Sequence, residues 1–290
     1  MKEKRSPIPD SVVRRFAIVW AISLSLSGCA LSDSKGIAVS PEDWIARSNE
    51  PLTTLADYYL KHGDIPRRSD LIACAAGGYP NMTSGKTEPV SVYFYPKDNA
   101  RDIRIFEAPS IQTDTLDWAN FRELRWPIEP VFNGYLRRYA TDYLQKETWL
   151  VVTCLTDDTL HTSRMIHLKI ANQPTILDLD GIVAKHWSGT MVFDWEGDST
   201  SADTAPPVID DAIYFEVVSD KAGNLISGTY TRNPQFEFYN TENVVINIRD
   251  IDPPPTLKSG WRYDFMVMAV SADNWVNRIL KLSFGVPIVN

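Results

Sequence analysis

Histidine and cysteine are scarce in this chain, four of the one and three of the other in 290 residues. With so few ligating and nucleophilic side chains, none of the short arrangements that announce chemistry is present. There is no Gly-x-Ser-x-Gly, no phosphate-cradling glycine loop, no His-Glu-x-x-His and no paired-cysteine metal motif. A nucleophile, its base and its orienter can come from distant positions, so spacing alone leaves a triad open. Nothing local recommends one, and we expect neither catalysis nor a cofactor. Basic charge is also lacking. Lys and Arg number 29 against 37 Asp and Glu, a net charge of −8. Coating nucleic acid needs clustered cations to neutralise phosphates, so the balance argues against such a partner. After residue 28 no apolar run is long enough to span a bilayer.

What is present begins with a targeting pattern. Arg14 and Arg15 precede an apolar run from Phe16 to Leu26, closed by Leu26-Ser27-Gly28-Cys29. A charged segment, a short apolar core and small residues before a cut describe a secretion signal. The four closing residues resemble the lipobox of a bacterial lipoprotein precursor. The resemblance implies lipidation of Cys29, cleavage after Gly28 and an acyl anchor in the cell envelope. Ala30, in place of an aspartate at that position, favours the outer membrane. Cleavage would remove five basic and two acidic residues, leaving 24 against 35 and a net charge of −11.

Along the remainder, composition separates four segments: 1–28, the signal; 29–68, a polar tether with helices expected at Pro41–Arg47 and Leu52–His62; 69–172; and 173–290. In the last two, short runs rich in Val, Ile, Tyr and Phe alternate with Asp, Asn, Gly and Pro clusters, as in an all-β sandwich. Strands are expected in the first near residues 71–75, 90–95, 103–108, 135–139, 149–155 and 164–170. In the second they are expected near 176–179, 190–195, 213–218, 226–230, 235–239, 244–248, 263–270 and 278–286. Arg164, Ile166, Leu168 and Ile170 match Arg278, Leu280, Leu282 and Phe284 at an offset of 114. Leu150, Val152, Cys154 and Leu155 match Phe265, Val267, Ala269 and Val270 at an offset of 115. Repeats of that length suit a duplicated domain better than a solenoid.

The run Leu257 to Val270, with Gly260 and Tyr263 ahead of alternating inward residues ending in Ala-Val, resembles the E-to-F corner and F strand of a fibronectin type III domain. Trp195 falls where that family places its B-strand core tryptophan. The resemblance covers roughly Pro174 to Val286 and implies a tyrosine corner, with the Tyr263 ring buried and its hydroxyl bonded to backbone. In the first half the corner position falls on Thr148, so that half fits a broader immunoglobulin-like or fibronectin-like pattern. The expected architecture is all-β: two tandem sandwiches after the signal peptide and tether.

Candidate sites follow from residue type and placement. Cys74 and Cys154 can meet as one disulfide in an oxidising compartment or stay two buried thiols, and the sequence leaves both open. Asp178-Leu179-Asp180-Gly181 starts like a calcium loop, but the required twelfth-position acid falls on Gly189. Glu196, Asp198, Asp203, Asp210, Asp211 and Asp273 would gather at one pole of a fibronectin-like fold, as weak calcium candidates or as a solvated acidic loop. Trp118 and Trp126 lie in a long connection, residues 108–130, that either presents an aromatic platform or closes a sandwich edge. Trp275, beside Asp273 at a turn, is the best candidate for an exposed anchor. His167 reads as a solvated strand residue; His62, His161 and His186 form no arrangement. Together these features describe a lipid-anchored, non-catalytic envelope module binding a protein partner, with a carbohydrate-binding lipoprotein as the alternative.

Overall fold

The computed structural model describes residues 50–97, 99–131, 136–141, 146–195, 211–238, 246–247 and 256–288. Cys29 and the expected helix at 41–47 lie outside them. The second expected helix is present as α1 (Leu55–Lys61), where the Thr54 hydroxyl accepts the Asp57 N–H and caps the first turn. Its buried Leu55 and Tyr58 pack on Phe106, Phe121, Val151 and Leu160. Beneath it Arg104 stacks on the Tyr58 ring at 4.9 Å and pairs with Asp102 and Glu123 at 2.7 and 3.2 Å. A buried guanidinium is tolerable because carboxylates surround it.

The chain is all-β, built as sandwiches of the immunoglobulin and fibronectin type III kind. Residues 67–168 form β1 (Arg67–Ala76), β2 (Ser91–Tyr95), β3 (Arg101–Glu107), β4 (Arg122–Leu124), β5 (Ile128–Val131), β6 (Leu136–Ala140), β7 (Thr148–Leu155), β8 (Leu160–Ser163) and β9 (Ile166–Leu168). Their order is β4-β3-β7-β8-β1-β2-β6-β5, with β9 also on β7. One strand joins the two layers. β1 runs parallel to β8 at Arg67, Arg68 and Leu71, then turns antiparallel to β2 from Ile72 to Ala76. Alternation sends Leu71, Ala73 and Ala75 into the sandwich interior with Val92, Ile105, Val152 and Cys154.

Residues 176–285 form two sheets. One has the order β10-β18-β17-β13-β14-β16 and the other β11-β12-β15. The strands are β10 (Ile176–Asp178), β11 (Val183–Trp187), β12 (Thr190–Asp194), β13 (Asp211–Asp220), β14 (Leu225–Thr231), β15 (Gln235–Glu237), β16 (Ile246–Asn247), β17 (Arg262–Ser271) and β18 (Val276–Gly285). Taking β11 to β15 as A, B, C, C′ and E, and β17 and β18 as F and G, the layers are A-B-E and C′-C-F-G, the fibronectin type III arrangement. The core stacks Phe193 on Phe265 at 3.8 Å, beside Trp195, Phe236 and Phe284. Tyr263 is buried and its hydroxyl accepts the Lys258 N–H at 2.9 Å. The corner tyrosine therefore serves the backbone as an acceptor.

The two halves share a wiring rule. In the first, β1 runs parallel to the closing strand and then crosses to β2; in the second, β10 runs parallel to β18 and the chain then crosses to pair β11 with β12. The Asp178-Leu179-Asp180-Gly181 run is this crossover. Asp178 Oδ1 accepts the N–H groups of Asp180 and Gly181 at 3.0 and 2.8 Å, and Oδ2 accepts from Arg278 at 2.5 Å. A Cβ on Gly181 would lie 2.5 Å from Asp178 Oδ2 and 2.7 Å from Leu280, so a larger residue there would have to push the Asp178–Arg278 pair aside. The closing hairpins differ in register. Ile166 pairs with Leu150, whereas its match Leu280 pairs with Val267, one inward position further along. An irregularity between β8 and β9 accompanies the difference.

Candidate functional site

The F-to-G turn of the second half does not stand in solvent. Where β1 leaves β8 for β2, the backbone of β9 loses a neighbour and a seam opens in the first sandwich. The turn at residues 271–277 enters it. The Asn274 carbonyl accepts the Ala75 N–H at 3.0 Å and the Asp273 carbonyl accepts the His167 N–H at 2.9 Å. Trp275, with 0% of its surface exposed, packs among Leu71, Ala73, Ala75, Leu150 and Leu168. Its indole N–H donates to the Gln173 carbonyl at 2.9 Å.

Polar contacts ring this plug. Asp273 accepts from Lys169 at 2.6 Å and lies 3.0 Å from His167 Nδ1, while His167 Nε2 is 2.5 Å from Glu147. Burial raises the Asp273 carboxyl pKa, but the bonds from Lys169, Ser271 and His167 outweigh it and hold the group below the ordinary aspartate value. The Thr175 N–H donates to the Gly77 carbonyl, while the Thr175 hydroxyl accepts the Gly77 N–H and donates to the Val276 carbonyl. Gly78, at φ +83°, lets Pro174 approach so closely that a Cβ would lie 2.6 Å from it. Around the seam one apolar cluster spans both halves, joining Cys74, Ala76, Tyr79 and Tyr93 to Phe215, Met268, Val270 and Ile279.

Several expected sites change character here. Trp275 is no exposed anchor: a neighbouring core buries it. Asp273 is spent on Lys169 and His167, and His167 is half-buried between two carboxylates rather than solvated. Cys74 and Cys154 are buried thiols that are not bridged. Strand parity is the reason, since Cys74 faces the cluster between the halves and Cys154 the interior of the first sandwich. Burial pushes the Cys154 thiol up to about 11. Trp118 and Trp126 are half-buried. Trp118 meets Tyr59 edge-on at 4.9 Å with the Arg67 guanidinium 4.5 Å from its ring, and Trp126 packs on the first core. The long connection is therefore a cover that supplies β4 and β5 to opposite sheet edges.

Of the calcium candidates, Glu196, Asp198, Asp203 and Asp210 lie outside the described residues, as does the Asp211 side chain. The Asp211 backbone pairs with Ser271, which sets the start of β13 beside the turn. Among the described residues no group of three or more His, Cys, Asp or Glu is placed to hold a metal ion.

Three features escaped the sequence reading. Asp70, His161 and Thr156 line up as a carboxylate-imidazole-hydroxyl relay, with 2.6 Å from Asp70 to Nδ1 and 3.2 Å from Nε2 to the Thr156 hydroxyl. That hydroxyl also lies 3.3 Å from the Thr159 carbonyl, so the relay knits the β7-to-β8 turn. Inside the second sandwich Glu216 is 1% exposed with neither carboxylate oxygen hydrogen-bonded, and burial raises its pKa well above the ordinary glutamate value. The third is β11, the outer strand of the three-stranded sheet, whose free edge meets no other strand among the described residues. Val183, Lys185 and Trp187 share its outward face, with Val183 47% and Trp187 72% exposed. Ser188 and Gly189, both at positive φ, turn the chain back to Thr190.

No protein-family model and no curated protein matches this chain. Among solved structures, the selenomethionine-substituted chicken interferon gamma receptor alpha chain is similar at 12% identity, over 69% of this chain and 92% of that chain, with a TM-score of 0.22. That likeness carries no argument about kinship or activity, and the sandwich assignment rests on the strand order described above. No described helix is long and apolar enough to cross a membrane.

Proposed function

We propose that this chain is a non-catalytic binding or assembly module of the bacterial cell envelope, anchored at the outer membrane through lipid on Cys29 and acting on a protein partner. The β11 edge carries the reading. An unpaired strand edge offers a row of backbone donors and acceptors to an incoming extended segment, and outward side chains add specificity. Here Val183 and Trp187 present large apolar area on one face, and Lys185, 3.7 Å from Asp194, marks the polar middle. Fusing both sandwiches through the Trp275 plug holds that edge in a fixed place relative to the first sandwich.

A photoreactive residue in place of Lys185, in intact cells, tests this. One envelope protein should be captured, and Trp187→Ala should abolish the capture; no capture, or capture indifferent to Trp187, refutes the protein-binding reading. Glycan binding lost on Trp187→Ala would establish the carbohydrate alternative, which the exposed indole favours. Acyl labelling should disappear in Cys29→Ser, and its persistence would refute the anchor.

A further inference from the structure

The outer face of the β13-β17-β18 sheet carries three successive cross-strand rungs. Phe215, Met268 and Ile279 form the first, Val217, Met266 and Lys281 the second, and Ser219, Asp264 and Ser283 the third. The apolar cluster joining the halves takes in the whole first rung and, from the second, Val217 and Met266. The second and third, with Leu179 from the crossover, line a cleft of about 310 Å³. That volume lies at the lower end of small-molecule sites, which pair an apolar lining with a few placed polar groups. Its apolar floor is continuous with the cluster joining the halves.

Lys281 is the charge in this cleft that lacks a direct partner. Asp264 is paired with Lys221 at 2.5 Å and with Ser283, and Glu88, facing from the first half, accepts from Asn81. No described residue forms an ion pair or hydrogen bond with the Lys281 ammonium, which feels Glu88 and Asp264 only through space. Its burial is costly in the charged state, and the pKa is accordingly lowered. An anion arriving beside it would restore the solvation that burial removed. We propose that this cleft binds a small amphipathic carboxylate, its head on the Lys281 ammonium and the Ser219 hydroxyl and its apolar tail on Val217, Met266 and Leu179. The site is separate from the β11 edge, so either reading can fail alone.

Octanoate, octanol and octylamine, titrated into the protein and followed by amide NMR shifts and calorimetry, separate the head from the tail. Octanoate should shift residues 217–219, 264–266 and 281–283 and bind better than the other two. Lys281→Met should weaken octanoate about tenfold or more, the scale of one charge-assisted hydrogen bond, while leaving octanol unchanged. Lys281→Arg, which keeps both the charge and a donor, should retain octanoate. The proposal is overturned by no octanoate binding at millimolar concentration, by shifts elsewhere, by equal affinity for octanoate and octylamine, or by a folded Lys281→Met protein that binds octanoate as wild type does.

Discussion

Trp275→Ala distinguishes a plug from a surface residue. The indole is wholly enclosed by the first sandwich, and truncating such a side chain costs about 3–5 kcal/mol through lost transfer energy and the cavity left behind. The Gln173 carbonyl also loses its donor, which adds about 1–3 kcal/mol if water cannot enter. The sum, about 4–8 kcal/mol, corresponds to a melting point lower by roughly 8–32 °C for a chain of this size, at about 2–4 °C per kcal/mol. Urea and thermal unfolding followed by far-ultraviolet circular dichroism would read it. Because the plug couples the halves, the variant should also unfold in two steps where the wild type unfolds in one. Trp275→Phe, which keeps most of the packing and loses the indole donor, should cost less. A loss under about 1 kcal/mol, the range of exposed loop positions, would refute the reasoning.

Two further outcomes follow from buried groups. Glu216 has a raised pKa in the folded state, so its contribution to stability is full below the ordinary glutamate pKa of about 4.3 and is lost as pH rises toward the folded value, at about 1.4 kcal/mol per pH unit. Glu216→Gln should therefore gain on the wild type in melting midpoint as pH rises above about 5, and parallel profiles for the two proteins would count against it. Cys74 and Cys154 should resist iodoacetamide in the native protein at pH 8, react fully once unfolded, and leave the melt indifferent to reducing agent; a drop in the melt on reduction would mean a bridge.

Most of the strand pattern was legible in the sequence because alternation reports a half-buried surface wherever one face meets a core. Tyr263 to Val270 and Arg278 to Val286 are the clearest cases, and they recur as β17 and β18 within a residue or two. Edges were the weak point. Arg122-Glu123-Leu124 is too short and charged to read as a strand, Ile128 to Val131 holds a proline that only an edge tolerates, and Val183 to Trp187 alternates too weakly. The plug was illegible for another reason. Asp273-Asn274-Trp275 has the local chemistry of a solvated turn, and its burial comes from a seam more than a hundred residues upstream. The unbridged cysteines follow from the same blindness: sequence shows two thiols in strands, while which face each occupies depends on where β1 changes layers.

Timing is the consequence of completing one half with a piece of the other. A chain emerging amino-terminus first can lay down the strands of its first sandwich early, yet an open slot persists beside β9 until residue 275 arrives. The leading portion then stays loosely closed for as long as the trailing portion is still threading through. Final closure of both happens together, as a latch set by the last hairpin.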